Sequence, residues 1–117
     1  MTETERNRQA LAEIIKQCNL IEERLDLFDR SQRRFLEESI FQDSCAFCLL
    51  QIGEAANRLT DSYQEKTRDV GWHKVIGMRN IIAHAYGRFD LGVAWETITE
   101  DIPELKKTVE KLLLDLG

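Results

Sequence analysis

Proline and glycine are scarce in this chain of 117 residues: proline occurs once, at Pro103, and the six glycines are scattered. Such a sequence has no flexible linker or low-complexity tract that would separate two domains. With 43% apolar residues, the chain is long enough to bury one modest core but not two. We therefore expect a single domain that spans residues 1–117.

Long apolar runs and an export signal are also missing. No stretch approaches the roughly 20 apolar residues that a membrane-spanning helix needs, and the first ten residues, MTETERNRQA, lack the apolar core of a signal peptide. The three cysteines are an odd number, which argues for reduced thiols rather than a disulfide framework. We expect a cytoplasmic protein that makes no contact with a membrane.

An excess of basic residues is absent, since 16 Lys and Arg stand against 21 Asp and Glu, for a formal net charge of −5. A domain that binds nucleic acid is usually basic. Any contact with RNA or DNA must therefore depend on a local basic patch, because the net negative charge of the protein repels nucleic acid.

Strict alternation of apolar and polar residues is missing too, so strands are not expected. Apolar residues instead recur in steps of three and four, as on helices. The three longest stripes are Leu11, Ile14, Cys18, Ile21, Leu25 and Phe28; Phe41, Cys45, Cys48, Ile52, Ala55 and Leu59; and Trp95, Ile98, Ile102, Leu105, Val109, Leu112 and Leu116. A further stripe begins at Trp72. The pattern predicts an all-α fold, an antiparallel bundle of four main helices plus a short connecting helix. The last helix should be kinked or split near Pro103.

Two features of the second stripe are best explained by packing. Cys45 and Cys48 form a CxxC pair, but no two further ligands stand nearby at zinc-binding spacing, so we expect core cysteines, no metal site and no cofactor. Gly53 lies inside the same predicted helix, where glycine costs about 1 kcal/mol relative to alanine. We interpret it as a point of close approach to another helix, with Glu54 and Arg58 on its flank.

Residues 78–87, MRNIIAHAYG, combine an apolar run with polar side chains. Continued in steps of three and four, the stripe from Trp72 passes through Arg79 and Tyr86, which places Arg79 on the inward face. Because burying an unpaired guanidinium is costly, Arg79 must meet a carboxylate, a group of acceptors, a partner subunit or a ligand. A structural ion pair and a functional role both satisfy this requirement.

His84 follows Asn80 by four residues, so the two share another face of the predicted helix, and the amide could orient the imidazole. Gly87 suits the position just past a helix end, which places His84 in the last turn. There the helix macrodipole favours the imidazolium form and helps to bring its titration into the physiological range.

Arg79 and His84 lie about 140° apart on a straight helix with 100° per residue, so they cannot reach one atom from one face. A long arginine that reaches round, an unwound last turn, or a second copy across a two-fold axis would bring them together. The last of these predicts a homodimer whose cleft collects both residues from both chains.

The stretch Arg79-Asn80-Ile81-Ile82-Ala83-His84-Ala85-Tyr86 resembles the R-x4-H-x-Y motif of HEPN domains, in particular that of the HepT-like toxins of prokaryotic two-gene modules. The likeness extends to Ile52-Gly53-Glu54-Ala55, to WHKVIGM at 72–78, to Val93-Ala94-Trp95 and to Ile102-Pro103-Glu104-Leu105. It covers roughly residues 35–115.

This resemblance implies a HEPN-like helical domain that dimerises and acts as a metal-independent endoribonuclease toxin on tRNA or mRNA. Arg79 and His84 would be the catalytic pair, with Asn80 as a polar supporter and Tyr86 as the motif tyrosine. The implied partner is a minimal nucleotidyltransferase antitoxin that attaches AMP to Tyr86.

The chemistry of the residues agrees with that implication. Cleavage of RNA without a metal uses the 2′-hydroxyl as nucleophile and gives a 2′,3′-cyclic phosphate. It needs proton transfer, which an imidazole supplies, and stabilisation of an anionic phosphorane, which a guanidinium supplies. Lys74, Arg58 and Arg88 are candidates for steering phosphate towards the motif.

Two other interpretations remain open. In one, the chain is a non-enzymatic helical module that docks a nucleotidyltransferase partner and is modified on Tyr86. In the other, it is a structural dimer in which a buried Arg79 only fixes the register of the two subunits.

Overall fold

Every regular element of the computed structural model is helical within residues 1–83 and 90–117, which are the residues that the structure describes. The side chains of residues 82 and 83 are outside the description. The elements are α1 (Glu3–Leu27), α2 (Gln32–Glu37), α3 (Ser39–Asn57), α4 (Asp61–Lys66), a 3-10 turn (Arg68–Val70), α5 (Trp72–Gly77), α6 (Asn80–Ala83), α7 (Leu91–Glu96), a π-helical segment (Thr97–Asp101) and α8 (Ile102–Leu116). The all-α prediction is confirmed. None of these helices is both long and apolar enough to cross a membrane.

The core lies between α1, α3 and α8, the three long helices. The stripe predicted for α1 is fully buried from Leu11 to Leu25, as is the α3 stripe from Phe41 to Ala55. At one end of the pair, Phe28 stacks on Phe41 with ring centroids 4.4 Å apart. At the other end, the Asn7 amide donates to the Thr60 hydroxyl over 3.1 Å. The end of α1 thus meets the start of α3, and the two helices are antiparallel.

The cysteines belong to this core. Cys18, Cys45 and Cys48 are all buried and carry free thiols, which confirms the packing interpretation of the CxxC pair. Burial raises the pKa of Cys18 and of Cys45 to about 12. Within the described ranges, no group of three or more His, Cys, Asp or Glu side chains is placed to hold a metal ion.

The last helix is interrupted just before Pro103, as predicted, and the interruption takes the form of the π-helical segment. A proline inside a helix lacks the N–H that would bond to the preceding turn, and its ring crowds a carbonyl there. The wider π turn relieves this conflict by placing Pro103 at the start of α8. Hydroxyls of Thr97 and Thr99 donate to the carbonyl oxygens of Val93 and Trp95 in the same region.

The helix predicted to run from Trp72 through the motif differs from the expectation. It is divided into two short helices, because α5 ends at Gly77 and α6 begins at Asn80. Between them, the backbone N–H groups of Met78 and Arg79 donate to carbonyls three residues back, in the pattern of a tight turn. Since Arg79 lies in this turn, the 140° separation calculated for one straight helix does not apply to it.

Candidate functional site

Arg79 contacts α3 through its charged end. Its Nη1 donates to Oε1 of Glu54 over 3.2 Å, across 25 positions of sequence. The carboxylate is one of the partners that the sequence required for this arginine. The pair is not deeply buried, however, because the side chains of Arg79 and Glu54 are 36% and 46% exposed. The expectation that Arg79 points fully inward is therefore wrong, and the turn between α5 and α6 explains why.

The base of Arg79 is held against α3 by Gly53. A Cβ built on Gly53 would lie 2.8 Å from the carbonyl oxygen of Ile76, 2.9 Å from Cβ of Arg79 and 3.0 Å from the backbone nitrogen of Arg79. These distances are shorter than real Cβ contacts, so only glycine allows this approach. The prediction that Gly53 marks a close contact between helices is confirmed, and the contact turns out to be with the turn that carries Arg79.

The other described candidates are spread around this turn. Asn80 is exposed as the first residue of α6. Lys74 is exposed on α5, and Arg58 is exposed one residue beyond the end of α3, where its carbonyl oxygen accepts from Nε of Arg6 over 2.8 Å. Within the described part of the chain, no hydrogen bond or ion pair joins Lys74 or Arg58 to Arg79.

His84, Tyr86 and Arg88 lie outside the described residues, as does Gly87. Their predicted roles, and the proposed orientation of His84 by Asn80, stay predictions. What the structure places is the arginine half of the motif and the helices that lead into and out of it.

A cavity of about 620 Å³ adjoins the same turn. Met78 and Ile81, which flank Arg79 and Asn80, belong to its wall, together with residues of the π-helical segment and α8. Lys74 also lines it, but so do Asp69, Asp101 and Glu104. Among its described lining residues, three carboxylates stand against one ammonium, a balance that does not favour phosphate.

Glu54 is the functional candidate that sequence reasoning did not select. Periodicity gave no reason to pair it with a residue 25 positions away, although its place on the flank of Gly53 was the available signal. Because Gly53 brings the turn against α3, the next residue of α3 is within reach of the guanidinium.

Comparison with known families gives one match, to the model described as Ribonuclease HepT-like, over residues 8–112. Among curated proteins, TTE0752 of Caldanaerobacter subterraneus subsp. tengcongensis, which is named as a candidate RNase, is 32% identical over 106 residues, covering 91% of this chain and 93% of its own. A protein named probable ribonuclease HepT, of Thermococcus cleftensis, is 31% identical over 97 residues, covering 79% and 88%.

A third relative carries an additional activity in its name. MJ0434 of Methanocaldococcus jannaschii, named as a gamma-glutamylcyclotransferase and candidate RNase, is 32% identical over 106 residues, which are 91% of this chain and 47% of that protein. No solved structure matches this chain.

Proposed function

Because the chain belongs to the HepT-like ribonuclease family, we propose that it is an endoribonuclease and the toxin component of a two-gene toxin–antitoxin module. Its substrate would be tRNA or mRNA, and it would act as a single HEPN-like domain in the cytoplasm, where those RNAs are found. The proposal draws on the family match over residues 8–112 and on the names of the relatives, two of which stand at more than 30% identity with most of both chains covered.

In the proposed reaction, the 2′-hydroxyl of the substrate attacks the adjacent phosphorus and expels the 5′-oxygen, leaving a 2′,3′-cyclic phosphate and a 5′-hydroxyl. His84 moves the proton, and Arg79 binds the nonbridging oxygens, whose negative charge grows in the transition state. Asn80 supports His84, and Lys74, Arg58 and Arg88 attract the RNA. No metal ion or cofactor takes part.

The observation that carries this proposal is the state of Arg79. Its side chain is 36% exposed, and its guanidinium uses one nitrogen for Glu54. A guanidinium has five N–H donors in a fixed fork, and two parallel bonds from that fork match a phosphate group. Arg79 therefore has the exposure and the donors that phosphate binding requires.

The test is cleavage of defined RNAs by purified wild type, Arg79→Ala and His84→Ala, in the presence of EDTA. Arg33→Ala is the matched control, because Arg33 is also an exposed arginine with one carboxylate partner, at 3.3 Å. We expect wild type and the control to produce 2′,3′-cyclic phosphate ends, detected by mass spectrometry, and both motif variants to lose at least about 100-fold in rate. Equal cleavage by all four proteins would refute the assignment.

The proposed antitoxin is a minimal nucleotidyltransferase that transfers AMP to Tyr86. Incubation with the neighbouring gene product and ATP should add one adenylyl group to the intact mass of wild type and none to Tyr86→Phe. If the partner binds and adds this mass, but the unmodified chain cleaves no RNA, the result would instead favour the non-enzymatic module that docks a nucleotidyltransferase and is modified on Tyr86. The net charge of −5 is the observation that favours this alternative, because a protein that binds RNA is usually basic.

We further propose that the active form is a homodimer. Ile40 and Phe47 are 74% and 56% exposed, and they lie two turns apart on the face of α3 that continues to Glu54. Large apolar side chains that are exposed on one helix face can form the kind of apolar patch that marks an interface. Light scattering should give the mass of two chains for wild type and of one for Phe47→Lys. Leu114→Lys, which changes another exposed apolar residue on α8, should leave the dimer intact. A monomeric wild type would contradict the proposal.

A further inference from the structure

Two consecutive residues of α3 contact the two ends of one arginine. Gly53 allows the backbone and Cβ of Arg79 to approach to distances that no larger residue would permit. Glu54 then accepts from Nη1 at the far end of the same side chain. A flexible side chain with four rotatable bonds is thus held at its base and at its tip by one rigid helix.

Among the described residues, the contact at the tip uses one of the three guanidinium nitrogens. Only Nη1 donates to Glu54, and no other hydrogen bond from a side-chain nitrogen of Arg79 occurs within the described residues. The distance of 3.2 Å is longer than the roughly 2.7–2.9 Å of a tight charged hydrogen bond. Because Nη1 donates to Glu54, the edge formed by Nε and Nη2 is the one that we expect to make two parallel bonds to a phosphate group.

We propose that Glu54 is a positioning residue for Arg79: it accepts from Nη1 and so directs the Nε and Nη2 edge towards a nonbridging oxygen of the RNA phosphate. Glu54 does not touch the reacting atoms and transfers no proton. This inference rests on the proposed ribonuclease function and adds a residue to it. The alternative is an ordinary surface ion pair, which would leave catalysis unchanged.

The positioning role predicts a specific kinetic result, because Glu54 should favour the reaction of bound RNA and disfavour the binding of RNA. Its carboxylate orients the guanidinium, which matters most when charge develops on the phosphate in the transition state. The same negative charge repels the RNA in the ground state. Loss of Glu54 should therefore lower kcat without raising KM.

The experiment compares Glu54→Ala and Glu54→Gln with Asp43→Ala and Asp43→Asn. Asp43 is an exposed carboxylate on the same helix, with no ion pair inside the described ranges, so its variants make the same charge change. We expect kcat to fall on the order of tenfold in Glu54→Ala and by less in Glu54→Gln, which keeps an acceptor oxygen. The KM should not rise in either, and the Asp43 variants should behave as wild type. Unchanged or raised kcat in Glu54→Ala would overturn the proposal, as would a loss of activity that Asp43→Ala shares.

A second measurement needs no activity. In protein labelled with ¹⁵N, a bond from Nη1 to Glu54 hinders rotation about the Nε–Cζ bond and separates the Nη1 and Nη2 resonances of Arg79. Glu54→Ala should merge them, whereas Asp43→Asn should keep them apart. Merged resonances in wild type would overturn the positioning role. Failure of the ribonuclease assignment would show differently, as equal cleavage by wild type and Arg79→Ala.

Discussion

Replacing Gly53 with alanine tests how tightly α3 holds the turn that carries Arg79. The added methyl group would lie 2.8–3.0 Å from a carbonyl oxygen, a backbone nitrogen and a Cβ atom, none of which can rotate away. To reach ordinary contact distances, α5 and α6 would have to move from α3 by roughly 0.5 Å. Overpacking of this kind costs about 1–3 kcal/mol, whereas alanine gains up to about 1 kcal/mol over glycine inside a helix. We expect a net loss of about 1 kcal/mol in the free energy of unfolding.

Gly77→Ala is the matched control for this variant. Gly77 is also helical, but a Cβ there would meet no atom within 4 Å, so alanine should stabilise the protein or leave it unchanged. Urea unfolding followed by circular dichroism should therefore show a loss of stability for Gly53→Ala and none for Gly77→Ala. Because a displacement of about 1 Å can cost 100-fold in rate, we also expect Gly53→Ala to cleave RNA on the order of tenfold more slowly. Equal or greater stability of Gly53→Ala would refute the close contact.

Three further predictions concern the core and one helix start. The three thiols should react slowly with a disulfide reagent in the native protein and quickly in urea. Only the thiolate reacts, and burial raises the pKa of Cys18 and Cys45 to about 12. Two fast-reacting thiols in the native protein would contradict this. The same shifts mean that the folded state keeps thiol protons that the unfolded state loses. The free energy of unfolding should therefore fall as pH rises from about 9 to about 12, and Cys18→Ala should flatten that fall in urea titrations. Thr60→Ala should lower the free energy of unfolding by about 1 kcal/mol, because the Thr60 hydroxyl caps α4. Thr108→Ala is the control, because it loses only one exposed hydrogen bond to a carbonyl. By thermal melting, its stability should stay within about 0.5 kcal/mol of wild type.

The long helices could be predicted from the sequence because their cause is local and repeated. On α1 and α3 the apolar stripe continues for about four turns, and it is buried from Leu11 to Leu25 and from Phe41 to Ala55. The start of α7 also has a local cause, because the side chain of Asp90 accepts from the N–H of Val93 at 3.1 Å. Periodicity and capping depend on residues that are close together in sequence, so they predict a helix correctly where local interactions determine it.

The break between Gly77 and Asn80 could not be predicted in this way, because this turn packs against α3, which is distant in sequence. The stripe from Trp72 continues through Val75 to Arg79 in regular steps of three and four, and Trp72 and Val75 are both buried. What distinguishes this point is the approach of α3 through Gly53, about 25 positions earlier in the chain. The sequence contained the glycine as a signal of close contact, but not the identity of the segment that it contacts. The pairing of Arg79 with Glu54 could not be predicted for the same reason.

The exposure of Arg79 bears on whether this arginine has a structural or a functional role. A buried ion pair would be costly to break, by about 3–5 kcal/mol, since the remaining partner would be a desolvated charge. Here both side chains are more than a third exposed, and such pairs contribute about 0–1 kcal/mol. Arg79→Ala also keeps the Cβ that lies against Gly53. We therefore expect Arg79→Ala to unfold within about 1 kcal/mol of wild type in urea while losing RNA cleavage. A loss of about 3 kcal/mol or more would mean that the arginine holds the fold or a subunit interface, and that its effect on cleavage is indirect.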